Sequence, residues 1–489
     1  MDPKSDLASS ETGRGRPANR RWLALGGLTA VLLAAVLCVA AVAGIGSLLW
    51  LRSAQSAIVA PVPAAPAPDV APDAPRTAVL PEAPDAAPAS VVPDPDSKNA
   101  VNRIAFVDSV GRLSTVAPDG SDTRLLAAAG AVYQFPAWAP DSSRIAAVGS
   151  DGSQGGVYVW ADQEGAQRAS LYTSGNQPPI YLYWSPDSRQ VSFLANDRSS
   201  LGLWLAAADG ASPARQIASG QPFYWDWSRN GDRLFIHSGG LGRDARLALL
   251  DPGSEQAGDN VASPGLFQAP GVSRDGRYLA YGQVAADNFQ VTIEDQDSGE
   301  RTAVPHVGLA ALGWSPTTQH LAWTSPRLDQ LTSAGPLRLL DAATGEITTL
   351  VQDTVFAFFW SPDGRSVAYL TLGSGAVNPG AARPAGLAAL STAEHAQRGR
   401  PSLRLSVVDV ASGQQRLLST FRPSAIFLGQ FLPFFDQYAL SHRIWSPASD
   451  ALVLPMVDSS GASGIYVVPV ASGEAVRVAE GTMAFWSWR

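Results

Sequence analysis

The chain of 489 residues holds one cysteine, three methionines, five histidines and only two lysines, Lys4 and Lys98. A single cysteine, Cys38, excludes any intrachain disulfide framework, and a domain of this size does not need one. Among the histidines, His237, His306, His320, His395 and His442, none forms a His-x-x-x-His pair, and no Cys-x-x-Cys pair exists. That removes the short metal-binding motifs, so no metal or cofactor is expected. A formal charge of −8 without clustered Lys/Arg excludes a nucleic-acid footprint. No Gly-x-Ser-x-Gly elbow is present, and no Gly-rich phosphate loop precedes a helix, so no catalytic residue is assigned.

What is present is a repeated phrase. It is clearest at Trp360-Ser361-Pro362-Asp363-Gly364, followed by the apolar run Val367-Ala368-Tyr369. Pro presets one turn dihedral, Asp bonds the backbone two residues on, and Gly accepts φ > 0, so the phrase reads as a hairpin turn between strands. Variants recur at Trp138, Trp184, Trp227, Val272, Trp314 and Trp445, with successive steps of 46, 43, 45, 42, 46 and 85 residues. A β-rich period of about 40–45 residues is the signature of a propeller blade.

This Trp-Ser-Pro-Asp-Gly repeat resembles that of the TolB-like, WD40-like (PD40) β-propellers, and also occurs in propeller domains of the prolyl oligopeptidase family. The resemblance covers roughly four-fifths of the chain and implies architecture, because propellers host unrelated functions. It further implies a role in envelope complexes, with no particular partner indicated. The absent nucleophile elbow departs from the prolyl oligopeptidases.

Second strands begin near Ile104, Ile145, Val191, Leu234, Leu279, Leu321, Val367 and Leu452. The chain enters at Ile104-Ala105-Phe106 without an inner strand and ends at Met483–Trp486 with an inner strand unpaired. The two complete one blade between them, which leaves no open sheet edge. The expected fold is therefore all-β, an eight-bladed propeller over 101–489. Seven blades is the alternative, since the repeat at Val272 lacks its Trp. The repeat tryptophans are expected between blades, each contributing roughly 2–3 kcal/mol by burial.

Ahead of the ring, residues 1–21 are polar and arginine-bearing, and 22–51 carry no charge across thirty residues. That exceeds the roughly 20 needed for a membrane-spanning helix, and Trp22 and Trp50 sit at its ends. Arginines before the span place residues 1–21 in the cytoplasm and the propeller outside the cell membrane. A cleaved signal peptide is the alternative reading, though the apolar run is long for one. Leu37 before Cys38 does not suit a lipid-anchor motif. Residues 52–100 are Pro/Ala-rich and are expected to be a disordered linker. At about 3.1 Å per residue it reaches on the order of 150 Å.

The step of 85 residues marks one blade with two insertions. The first, 372–402, carries Arg383, His395, Arg398 and Arg400. The second, 421–438, carries Phe427, Phe431, Phe434, Phe435 and Tyr438. Strand order puts both on one face of the disc, and long insertions often bind. The candidate partner-binding set is Arg398, Arg400, Phe427, Phe431, Phe434, Phe435 and Tyr438, the alternative being that the aromatics form a private core. Tyr133, Tyr183, Asp226 and Gln268 are expected to line the channel. The function expected is binding or scaffolding of an envelope protein, peptide or glycan. A hydrolase or lyase acting on an extracellular polymer is the alternative.

Overall fold

The computed structural model describes residues 101–489 apart from 128–129, 198–199, 240–243, 255–257, 267, 286–287, 328–331 and 374–400. The expected tail 1–21, span 22–51 and linker 52–100 lie outside the described residues. Among those described, no helix is long and apolar enough to cross a membrane.

Eight antiparallel sheets follow one another along the chain. The chain is an eight-bladed propeller. Blade 1 is closed by the C-terminal strand: Met483–Trp486 pairs with Ile104–Val107, Ala105 opposite Phe485. Leu113–Val116 and Arg124–Ala127 complete that blade outwards. The inner strands of blades 2 to 7 are Val132–Trp138, Pro179–Trp184, Phe223–Trp227, Gly271–Val272, Ala311–Trp314 and Ala357–Trp360. Blade 5 keeps four strands although its inner strand is two residues long and ends in Val272, so the count is eight and not seven.

The repeat phrase builds each blade's first turn from its own side chains. In blade 7 the Ser361 hydroxyl donates to Asp363 at 2.6 Å and accepts the Ser366 amide at 2.9 Å. Asp363 in turn accepts the Arg365 amide at 3.0 Å. Gly364 takes φ +69°, and a side chain there would strike Thr317 of blade 6. Three serines adopt the same left-handed backbone elsewhere, Ser142, Ser188 and Ser449. Each uses its hydroxyl to accept an amide from the preceding blade: Trp488, Asp141 and Asp363, respectively. These inter-blade bonds offset the cost of φ > 0 in a non-glycine residue.

Most of the repeat tryptophans, though not Trp138 and Trp314, lock neighbouring blades by a bond as well as by packing. The indole N–H of Trp184 reaches the carbonyl of Ala137 at 2.9 Å, Trp360 reaches Gly313 at 2.9 Å, and Trp445 reaches Phe359 at 3.0 Å. Each acceptor immediately precedes the tryptophan of the blade before. Trp227 bonds the Ser192 hydroxyl, which donates to Tyr183, the residue before Trp184. Trp488 reaches Trp138 across the ring closure at 2.9 Å.

Blade 8 departs from the pattern. Pro423 faces Met456 and Trp445 faces Leu452 on the strand Ala451–Val457. The partners Met456 and Leu452 are four residues apart, whereas Pro423 and Trp445 are 22 apart. The inner strand is thus interrupted, and the intervening chain turns into the channel. The expectation that 421–438 is a connection emerging on one face of the disc is corrected here: the segment interrupts the inner strand. The segment forms a π-helical turn at Phe427–Phe431, a 3-10 turn at Leu432–Phe434 and helix α1 at Phe435–Ser441. Ser424 starts it, its carbonyl accepting the Leu428 amide and its hydroxyl the Phe427 amide. A side-chain oxygen that satisfies a first-turn amide favours a helical start there.

The plug touches inner strands around the ring. Phe431 packs on Phe485 of blade 1, Tyr438 stacks on Phe135 of blade 2 at 4.8 Å, and Phe435 meets Phe358 of blade 7. The Tyr181 hydroxyl of blade 3 donates to the Gln437 carbonyl. The Gln437 side chain accepts the Trp225 amide of blade 4 at 2.9 Å and donates to the Trp225 carbonyl at 2.8 Å. Asp436 accepts the Ala269 amide beside blade 5. These aromatics and the inner strands share one buried core.

Candidate functional site

With the channel filled, the space left at its mouth on the side of the Ser-Pro-Asp turns is a cleft of about 240 Å³ across blades 3 to 6. It lies where the repeat loses its tryptophan. Val272 stands in the slot that Trp184, Trp360 and Trp445 fill in their blades, and a valine leaves much of that volume open. Leu440 of α1 forms part of the floor, and Leu312, Trp227 and Trp314 contribute apolar wall.

The inner wall carries one acid. Asp226 is buried; one carboxylate oxygen accepts the Tyr183 hydroxyl at 3.1 Å and the other the Val272 amide at 2.9 Å. Burial pushes its pKa from 3.8 up to about 7, hydrogen bonds from the Val272 amide, the Tyr183 hydroxyl and the Trp227 amide pulling the other way. Tyr183 is pushed well above its ordinary 10 by burial and by Asp226 beside it. At the rim stand two exposed arginines from adjacent turns, Arg229 and Arg274. The Arg229 guanidinium leans across blade 5, 3.5 Å from the Arg274 carbonyl. Among the described residues neither guanidinium has a carboxylate within ion-pair distance.

The aromatic candidates Phe427, Phe431, Phe435 and Tyr438 are buried in the channel, and Phe434 is half-buried against the same core. Arg398 and Arg400 lie outside the described residues. Tyr183 and Asp226, expected along the channel, line the cleft at its mouth. Tyr133 instead packs edge-on to Trp160 in another core, and Gln268 is buried. Arg229 and Arg274 were not singled out as site residues from the sequence, and Trp314 was expected between blades; the signal that leads to all three is the missing tryptophan at position 272.

Other polar candidates have structural partners. His442 bonds Ser441 at 2.6 Å and the Phe135 carbonyl at 3.2 Å, and burial holds its pKa down to about 3. Asp295, in the acidic turn of blade 5, is paired with Arg277 at 2.7 Å, which holds it down to about 2. Among the described residues no three His, Cys, Asp or Glu side chains group as metal ligands. A second cleft, about 310 Å³, lies between blades 7 and 8 beside Phe421, Arg422 and Tyr466.

No family model matches the chain, and no curated protein matches it. Solved structures do. TolB from Acinetobacter baumannii is 19% identical over 50% of this chain and 62% of its own, with a TM-score of 0.34. An oligogalacturonate lyase in complex with manganese is 13% identical over 64% of this chain and 81% of its own, TM-score 0.45. A prolyl endopeptidase is 12% identical over 71% of this chain and 49% of its own, TM-score 0.47. The chain spans less than two thirds of the TolB and of the endopeptidase. None of these similarities bears on what the chain binds or does.

Proposed function

We propose that the chain is a membrane-anchored, outward-facing binding module that recognises an envelope protein, peptide or glycan at the mouth of its propeller. The observation that carries this reading is the plug. It fills the channel with the protein's own aromatics and leaves the cleft at Asp226, Arg229 and Arg274 as a concave polar-and-apolar surface. Such a surface suits recognition of a protruding group. The charge-free stretch 22–51, preceded by arginines, supports the anchor and the outward orientation.

Affinity capture with the full chain tests this. Because Lys4 and Lys98 are the only lysines, capture should use a photoreactive or carboxyl-directed cross-linker. A specific partner captured by the native chain and lost with Arg229→Glu/Arg274→Glu supports the reading. Capture indifferent to those changes sinks it. One observation favours a second reading: Asp226, poised near neutrality, has the titration of a general acid. Turnover of an extracellular polymer that disappears in Asp226→Asn would make the chain a propeller enzyme.

A further inference from the structure

The cleft is divided by polarity. Its outer rim is cationic, from Arg229 and Arg274 on two adjacent turns. Below the rim its lining is apolar, from Val272, Leu312, Trp314 and Leu440. The polar groups between them are already engaged: one Asp226 oxygen accepts the Tyr183 hydroxyl and the other accepts the Val272 amide. A ligand therefore meets unpaired positive charge first and apolar surface below it.

We propose that the cleft captures the free C-terminal carboxylate of a partner polypeptide whose last side chain is apolar. The carboxylate lies between Arg229 and Arg274, and the side chain drops onto Val272, Trp314 and Leu440. This rests on the binding reading above and names the group recognised. Guanidinium suits the task, since its planar donors match a carboxylate and the charge-assisted bonds are about twice as strong as neutral ones. Size argues for a chain end. The cleft's roughly 240 Å³ falls below the ~300–1,000 Å³ of typical small-molecule sites, so it admits one terminal residue. A sugar acid fits less well, because its ring hydroxyls need several open donors and acceptors and the paired Tyr183 and Asp226 do not supply them. The Asp226 carboxylate on the inner wall lies about a side chain's depth below the rim, and the hydrogen bonds from Tyr183 and Val272 already occupy its two oxygens.

The test titrates the full chain with three labelled peptides: acetyl-Ala-Ala-Phe as free acid, the same peptide as C-terminal amide, and acetyl-Ala-Ala-Ser as free acid. Binding is expected for the first and at least about tenfold weaker for the other two, one charge-assisted contact being worth roughly that factor. Arg229→Gln and Arg274→Gln should each weaken the first peptide by about tenfold. They should leave the amide and the melting temperature unchanged, since both side chains are exposed. Raising salt should weaken the acid and not the amide. No binding of the first peptide, equal binding of acid and amide, or undiminished binding in the double variant overturns the inference. If partner capture still needs the cleft when the peptide test fails, only this inference falls. If capture ignores the cleft, both fall.

Discussion

Asp226 is the residue whose chemistry the fold alters most usefully. Its folded pKa of about 7 lies above its ordinary 3.8, so the folded protein holds that proton more tightly than the unfolded chain. Its stabilising contribution is complete below about pH 3.8 and is lost as pH rises through about 7. Asp226→Asn removes that loss and still offers an acceptor to Tyr183. The melting temperature of the variant relative to native should therefore climb between pH 5 and pH 8, read by thermal denaturation at both. His442 works in the other sense, because its folded pKa of about 3 lies below 6.5. It supports the fold fully above pH 6.5 and withdraws that support as pH falls toward 3. At position 272 a second residue-scale prediction applies. Val272→Trp restores the repeat's side chain, should occupy the cleft, and should abolish partner capture while the propeller stays folded, checked by circular dichroism.

At the scale of elements, the blades were legible and the plug was not. Most blades announce themselves by a tryptophan, a turn of the Ser-Pro-Asp kind and an apolar run, because those residues both form the turn and lock it to the neighbouring blade. Blade 8 carries the phrase at Trp445-Ser446-Pro447, but shows no mark of the interruption in its inner strand. Its halves, at Pro423 and Trp445, are too short to show an alternating pattern. The aromatics between them do recur at three- and four-residue spacing, Phe427, Phe431, Phe435, Tyr438 and His442, and that helical period was the available signal. What no spacing reveals is that the segment fills the channel, since its partners come from inner strands of other blades, some hundreds of residues away. Burial separates two neighbouring phenylalanines. Phe431→Ser should cost on the order of 3–5 kcal/mol, as for truncation of a core phenylalanine. Phe434→Ser, half-buried, should cost about 1 kcal/mol. Urea denaturation of the two variants checks the ranking.

The ring as a whole depends on one strand pairing, and that was readable from the chain's two unmatched ends. The Ser487 amide bonds the Arg103 carbonyl, which sets the alternation along the closure. Phe106 and Ala484, opposite each other, then fall at a position where side chains approach closely. In a Cys38→Ser background, Phe106→Cys/Ala484→Cys should oxidise to an intramolecular disulfide. The oxidised form should be more stable than the reduced form of the same variant by about 2–4 kcal/mol. Faster gel mobility and a higher melting temperature, both reversed by reductant, are the readouts. Failure to oxidise would contradict the closure.

That closure also decides how the domain bears a load. A pull on the chain ahead of residue 101 arrives at Ile104–Val107, zipped between Met483–Trp486 on one side and Leu113–Val116 on the other. Tension there must shear two ladders at once, where an outermost strand would peel away bond by bond. Load applied from that side therefore meets two ladders in shear and no edge in peel.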